Sequence, residues 1–184
     1  MEMKSYQPEV INDLSGFIEE LEKTQQLNFA FSQFWESKGI SLQTLEDNYL
    51  KPYDNSIKGV PRVTVKVPTA GGKTFIACNA LKPIFDSFPS GKTKVVVWFV
   101  PSDTILKQTY NRLNDPSDPY RQKIDSHFGS AVKVYEKEGL LFGQGFNPVE
   151  LKEQLSILVL SVQSFVETVR KGAPRAYREN ENLA

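Results

Sequence analysis

The 184-residue chain carries 22 Lys and Arg residues against 22 Asp and Glu residues, so its formal net charge is zero. A chain without net positive charge is not a general electrostatic ligand of DNA, so any contact with nucleic acid must be local and oriented. The single cysteine, Cys78, excludes an internal disulfide, and there is no signal peptide and no long apolar run. We therefore expect a cytoplasmic protein with Cys78 packed within a helix.

Residues 1–61 are expected to form an N-terminal helical segment. Apolar residues at helical spacing predict an amphipathic helix over residues 8–23 and a second helix over residues 28–38. A third short helix is predicted over residues 41–50, and a Pro- and Gly-containing connection follows over residues 51–61. The aromatic residues of these helices are expected to pack in the core.

The stretch at residues 67–74, which reads VPTAGGKT, has the layout of a phosphate-binding loop. Alternating Val residues before it predict a half-buried strand over residues 62–67, and apolar residues at helical spacing begin at Ile76. Glycines let backbone N–H groups approach phosphate oxygens, and the following helix adds free N–H groups and the positive end of its dipole. Lys73 would reach the β- and γ-phosphates, and the Thr74 hydroxyl would bind Mg²⁺.

One position of this stretch departs from the general pattern. G-x-x-x-x-G-K-[ST] would place a glycine at position 67, where this chain has Val67. Taken alone, the stretch is therefore also compatible with a plain strand-to-helix turn in which Lys73 is a solvated charge. The second half of the chain favours the phosphate-binding interpretation.

Strands alternate with helices after residue 62, which predicts an α/β fold with a parallel sheet and helices on both of its faces. The continuous apolar run at residues 94–100 is typical of a strand that is covered on both faces. A glycine-rich loop or irregular hairpin is predicted over residues 139–148. The strands are predicted over residues 62–67, 94–100, 131–135 and 157–160.

Three candidate functional segments follow predicted strands. They are the glycine loop after Val67, the Pro101-Ser102 pair after Val100, and residues 161–163 after Leu160. In open parallel sheets, ligands bind at the carboxyl ends of the strands. The placement of all three segments therefore supports a common functional edge.

With these segments in order, the chain resembles the first RecA-like domain of superfamily-two DEAD/DEAH-box helicases. Within them it is most similar to the restriction subunit of type III restriction-modification enzymes. Residues 68–74 match motif I of that group, in which the first glycine is often missing. Residues 100–108 (VPSDTILKQ) are similar to motif Ia, usually Val-Pro-Thr-x-x-Leu-x-x-Gln, although Ser102 replaces threonine and the leucine stands one place later. Residues 160–165 (LSVQSF) look like motif Ib, and Tyr6-Gln7 resembles the adenine-reading glutamine motif.

The resemblance implies a RecA-like P-loop NTPase that uses ATP and Mg²⁺, contacts the backbone of duplex DNA and works with a DNA-methyltransferase subunit. Its catalytic residues would be Lys73 and Thr74, with Thr74 on Mg²⁺. Its nucleotide-binding residues would be Gln7, Thr69, Ala70, Gly71, Gly72, Lys73 and Thr74. Its DNA-contacting residues would be Pro101, Ser102, Gln108, Ser161 and Gln163.

One expected motif is missing, namely the Asp-Glu pair of the Walker B segment. No Asp-Glu pair occurs after Lys73, although these acids hold Mg²⁺ and polarise the attacking water in this family. We therefore expect residues 62–184 to be the first part of the ATPase domain, cut before Walker B, and the polar tail fits such a cut. The full-length protein would be an ATP hydrolase, a DNA helicase or translocase with or without an endonuclease. The fragment alone would bind ATP weakly and be nearly inactive.

Two other interpretations of the sequence stay open. The first is a different P-loop phosphotransferase, for which Asp103 is the acid that the second strand offers to a metal. The second is a non-catalytic, nucleotide-gated interaction module that docks through its N-terminal helices.

Overall fold

The structure is a computed structural model that describes residues 3–40, 52–137 and 149–163, and these fall into two compact units, residues 1–88 and residues 89–184. The first unit contains helices α1 (Gln7–Thr24), α2 (Leu27–Ser37) and α3 (Lys73–Asp86). The second contains strands β1 (Lys94–Val100), β2 (Val132–Tyr135) and β3 (Leu155–Ser161), helices α4 (Asp103–Asn114) and α5 (Pro119–Phe128), and a short 3-10 helix (Glu150–Lys152).

Helix α1 packs against both α2 and α3 in the first unit. Its Phe17 ring meets Phe34 of α2 edge to face, with ring centroids 6.2 Å apart, and Ala30 is fully buried between them. Cys78 of α3 is also fully buried, as its sequence context predicts. The two predicted N-terminal helices are therefore confirmed. The helix predicted at residues 41–50 lies outside the described residues, as does the loop predicted at residues 139–148.

The strand predicted over residues 62–67 is wrong. This segment has no regular secondary structure, and Val63 and Val65 are about half exposed. It begins at Arg62, whose guanidinium donates to Asp54 Oδ2 at 2.6 Å and to Ser56 Oγ at 2.7 Å. Alternation of apolar and polar residues makes a strand possible, but a strand persists only when a neighbouring strand accepts its backbone hydrogen bonds. Within the described ranges, no strand pairs with this segment.

The second unit is built on a parallel sheet with the strand order β1-β3-β2. Strand β3 lies in the centre, and all seven of its residues are buried. Val100 at the end of β1 is opposite Ser161 at the end of β3, and Val132 at the start of β2 is opposite Leu155. The sheet with its helices confirms the predicted α/β class.

The prediction that strand β1 is covered on both faces is wrong within the described residues. It lies at an edge of the three-stranded sheet, and Val95, Val97 and Phe99 on one of its faces are 40–54% exposed. The continuous apolar run therefore does not mark a strand covered on both faces within the described part of the chain. An apolar run shows what a strand is able to bury, whereas its actual coverage depends on which elements pack against it. Strand β3 is the one that is covered on both faces.

Arg121 joins three elements of the second unit. Its guanidinium donates to the Leu113 carbonyl in α4 at 3.1 Å and to the Val132 carbonyl in β2 at 2.8 Å. Its Nε donates to Asp125 Oδ1 within α5, also at 2.8 Å. Because Arg121 is buried, these bonds are shielded from water and hold α5 between α4 and the sheet edge.

We expect Arg121→Leu to lower the free energy of unfolding by about 2–4 kcal/mol, because two carbonyls and a carboxylate lose their donor. Arg112→Leu is the matched control, since exposed Arg112 lies over the Tyr120 ring and should cost less than about 1 kcal/mol. Urea unfolding followed by circular dichroism measures both variants. Equal destabilisation of the two would contradict the structural role of Arg121.

Candidate functional site

The glycine stretch forms a tight turn that leads directly into α3. The Gly71 N–H donates to the Pro68 carbonyl at 3.0 Å. Ala70 (φ 60°) and Gly72 (φ 75°) are in the left-handed region, which turns the chain sharply into the helix at Lys73. No side chain caps the N-terminus of α3. The first amides of α3 therefore have no acceptor within the helix and point out of its N-terminal end.

The packing around this turn leaves no room for a side chain. A Cβ added at Gly71 would lie 2.4 Å from Val67 Cγ1 and 2.9 Å from the Pro68 carbonyl oxygen. A Cβ added at Gly72 would lie 2.5 Å from Gln7 Nε2. Both glycines are therefore required by the local geometry, and the backbone is the only part of either residue that can meet a ligand.

Two residues at the start of α1 hold the turn through the Gly71 carbonyl. Gln7 Nε2 donates to this oxygen at 2.9 Å, and the Tyr6 hydroxyl donates to the same oxygen. Gln7 Oε1 accepts from the Lys4 backbone N–H at 2.9 Å, and the Lys4 ammonium donates to the Ala70 carbonyl at 3.2 Å. Gln7 is 1% exposed. The predicted adenine-reading residue is thus brought to the glycine turn, where it is a buried part of the loop's support.

Lys73 and Thr74 occupy the first turn of α3. The Lys73 ammonium donates to the Pro68 carbonyl at 2.9 Å, so it lies across the turn. Thr74 is half-buried beside it. The ammonium of Lys73 and the uncapped amides of α3 are donors of the kind that a polyphosphate requires. The two glycines let the backbone of the turn come close to such a ligand. The residues therefore fit ATP with Mg²⁺.

The predicted DNA-contacting segments meet at the carboxyl edge of the sheet in the second unit. Because Val100 pairs with Ser161, the segment after β1 and the end of β3 lie side by side. Ser102 caps α4, its hydroxyl accepting from the Ile105 N–H at 3.4 Å, and Pro101 before it is exposed. Gln163 is exposed after β3. The predicted Gln108 is exposed farther along α4.

Ser161 lies in a different environment from the other predicted DNA-contacting residues. It is fully buried, and its hydroxyl donates to Asp103 Oδ1 at 2.5 Å. The sequence does not predict this pairing and offers Asp103 as a metal ligand of a P-loop phosphotransferase. The sequence shows only a carboxylate at the start of a predicted helix, and the pairing of β1 with β3 that brings Asp103 to Ser161 is visible only in the structure.

A family model described as "Type III restriction enzyme, res subunit" matches residues 1–183. The chain belongs to this family. Membership in the Res-subunit family indicates a helicase-like, ATP-dependent function that is connected with DNA in restriction systems. It also accounts for the α/β sheet, which is consistent with a RecA-like domain. Comparisons with curated proteins and with solved structures gave no match.

Two further observations limit the kind of site that the described ranges contain. No three His, Cys, Asp or Glu side chains in these ranges come together as a metal-binding cluster would. No helix in the same ranges has the length and apolar character needed to cross a bilayer.

We expect Gly71→Ala to weaken Mg·ATP binding by at least about tenfold, because the new Cβ must displace Val67 or the turn itself. Gly16→Ala in α1 is the control, since its Cβ would meet only the Phe34 ring at 3.4 Å and alanine favours a helix. Titration calorimetry measures binding to both variants. Unchanged binding by Gly71→Ala would show that the tight turn does not form the phosphate site.

Proposed function

We propose that this chain provides the ATP-binding and DNA-contacting parts of an ATP-driven DNA helicase or translocase, the motor-nuclease subunit of a restriction system. The observation that carries this proposal is the glycine turn before α3, whose Gly71 carbonyl accepts hydrogen bonds from Gln7 and Tyr6. Membership in the Res-subunit family supports the same assignment.

Nucleotide binding would use the turn at residues 69–72 together with Lys73 and Thr74. The Lys73 ammonium would leave the Pro68 carbonyl, a neutral acceptor, for charged phosphate oxygens, to which hydrogen bonds are stronger. The backbone N–H groups of the turn and of the first turn of α3 would point at the phosphates, and Thr74 would hold Mg²⁺. ATP would supply the phosphoryl group whose transfer to water drives movement.

Gln7 would have two tasks at the same time. Its amide group carries two N–H donors, and its carbonyl oxygen accepts two hydrogen bonds. The Gly71 carbonyl uses one donor and the Lys4 N–H uses one acceptor site, so these bonds leave one of each unused. Because Gln7 is 1% exposed, its side chain would have to become accessible for an adenine edge to meet them. Base recognition and support of the loop would thus be linked through one side chain.

DNA contact would occur at the carboxyl edge of the sheet in the second unit. Three of the residues lie near that edge: Pro101 and Gln163, which are exposed, and Ser102, which is half-buried and caps α4. The fourth, Gln108, is exposed on α4. Ser161 is revised from a hydroxyl donor to phosphate into a buried support, because its hydroxyl already donates to Asp103. Contacts of this kind hold the DNA backbone without reading its sequence, which suits a motor that must move along it.

The finer assignments rest on the family rather than on contacts. As a Res subunit, the protein would act in the cytoplasm with a DNA-methyltransferase subunit, and the complete protein would hydrolyse ATP. An unrelated P-loop phosphotransferase, with Asp103 as its metal ligand, is the weaker proposal, because the family model that matches residues 1–183 is that of the Res subunit.

We expect the parent chain to bind Mg·ATP weakly and Lys73→Ala to bind it at least about tenfold more weakly, the size of a lost charge-assisted hydrogen bond. Lys82→Ala is the matched control, because Lys82 is an exposed lysine on the same helix, where it pairs with Asp86. Titration calorimetry measures the affinity of the three proteins for Mg·ATP. No binding by the parent, or equal binding by Lys73→Ala, would contradict a working phosphate loop.

A comparison of ATP affinity with GTP affinity distinguishes recognition of adenine by Gln7 from its support of the glycine turn. We expect Gln7→Ala to weaken ATP binding more than GTP binding, because the adenine edge loses a partner while the loop loses its support for both nucleotides. Gln33→Ala on α2 is the control, since Gln33 contacts only Glu36 among the hydrogen bonds of the described side chains. Equal losses for ATP and GTP would leave Gln7 as a support for the loop alone.

A further inference from the structure

We propose that Asp103 is a positioning residue that couples the two DNA-contacting segments, residues 101–103 and residues 161–163. It would do so by holding the Ser161 hydroxyl and would not touch DNA itself. The inference rests on the proposed DNA contact at this edge of the sheet. It adds a residue to which neither the family match nor the motifs assign a part in DNA binding.

The geometry that carries the inference is a short hydrogen bond between distant parts of the chain. Ser161 Oγ donates to Asp103 Oδ1 at 2.5 Å, although 58 residues separate them. Asp103 is the first residue of α4, and Ser161 is the last residue of β3. The bond therefore ties the start of a helix to the end of the central strand, next to the backbone pairing of Val100 with Ser161.

The bond between Ser161 and Asp103 is of a strong kind. A hydroxyl that donates to a carboxylate forms a charge-assisted hydrogen bond, which is about twice as strong as a neutral one. Ser161 is fully buried, so water does not compete on its side of the bond. The positive end of the α4 dipole favours the negative charge of Asp103 at the first position of that helix.

The bond between Ser161 and Asp103 would fix the distance between Ser102 and Gln163. Ser102 directly precedes Asp103, and Gln163 stands two residues after Ser161. Without the bond, the segment after β1 and the segment after β3 would be joined only through the backbone pairing of their strands, which ends at Val100 and Ser161. A DNA strand that contacts both segments would then have to order them on binding, at a cost in affinity.

A purely electrostatic role for Asp103 predicts the opposite result. Asp103 is exposed, and a carboxylate near DNA phosphates repels them by about 1 kcal/mol at 4 Å in water. Removing its charge would then tighten DNA binding. The sign of the change in affinity therefore distinguishes a positioning residue from a repelling one.

The test is a double-mutant cycle on binding of a short fluorescent DNA duplex, measured by anisotropy over a range of salt concentrations. We expect Asp103→Ala and Ser161→Ala each to weaken binding by about tenfold, because the two segments must then be ordered when DNA binds, and the double variant to be no weaker than either. Because the groups proposed to contact DNA are neutral and release no counterions, the salt slope should stay unchanged in these variants. Asp103→Asn, which keeps an acceptor of the same shape, should retain most of the affinity.

The matched control is a second Asp–Ser pair in the same unit. Asp115 Oδ1 accepts from the Ser117 hydroxyl at 2.7 Å, and both residues lie in the loop between α4 and α5. Asp115→Ala and Ser117→Ala should leave the affinity and the salt slope unchanged. Additive effects of the Asp103 and Ser161 variants, or tighter binding by Asp103→Ala, would overturn the inference alone. A parent chain that does not bind DNA would instead overturn the proposed function.

Discussion

The Gly71 carbonyl is the acceptor on which the glycine turn before α3 depends. A carbonyl in a tight glycine turn is not used by secondary structure, and a buried carbonyl without a donor costs roughly 1–3 kcal/mol. Gln7 and Tyr6 supply its donors from the start of α1, and Lys4 holds the neighbouring Ala70 carbonyl. These bonds attach the N-terminal helix to the loop, so the turn keeps its shape.

The two candidate sites follow the same construction. In each, a short polar segment stands at the N-terminus of a helix, where backbone amides have no intrahelical acceptor. In each, a buried side chain from a distant part of the chain holds that segment in place. Gln7 does this for the turn before α3, and Ser161 does it for Asp103 at the start of α4. Buried polar side chains are costly unless they are paired, which makes such links specific as well as stabilising.

The exposed groups differ between the two sites in a way that fits their proposed ligands. The phosphate loop combines an ammonium, Lys73, with backbone amides, which suits the concentrated charge of a polyphosphate. The edge of the sheet offers the neutral groups of Pro101, Ser102 and Gln163, which suit a DNA backbone that must slide past. A chain with zero net charge is able to contain both sites, because neither relies on a broad positive surface.

The sequence by itself determined the helices α1, α2 and α3, the three strands and the glycine turn before α3. Amphipathic spacing, apolar runs and the GGKT residues are local signals that do not depend on distant partners. Only the tertiary structure decided that residues 62–67 form no strand and that β1 is exposed on one face, because strand pairing and coverage are set by neighbours far along the chain. The partners of Gln7 and Ser161 were decided at the same level, since hydrogen bonds across 64 and 58 residues leave no periodic trace in the sequence.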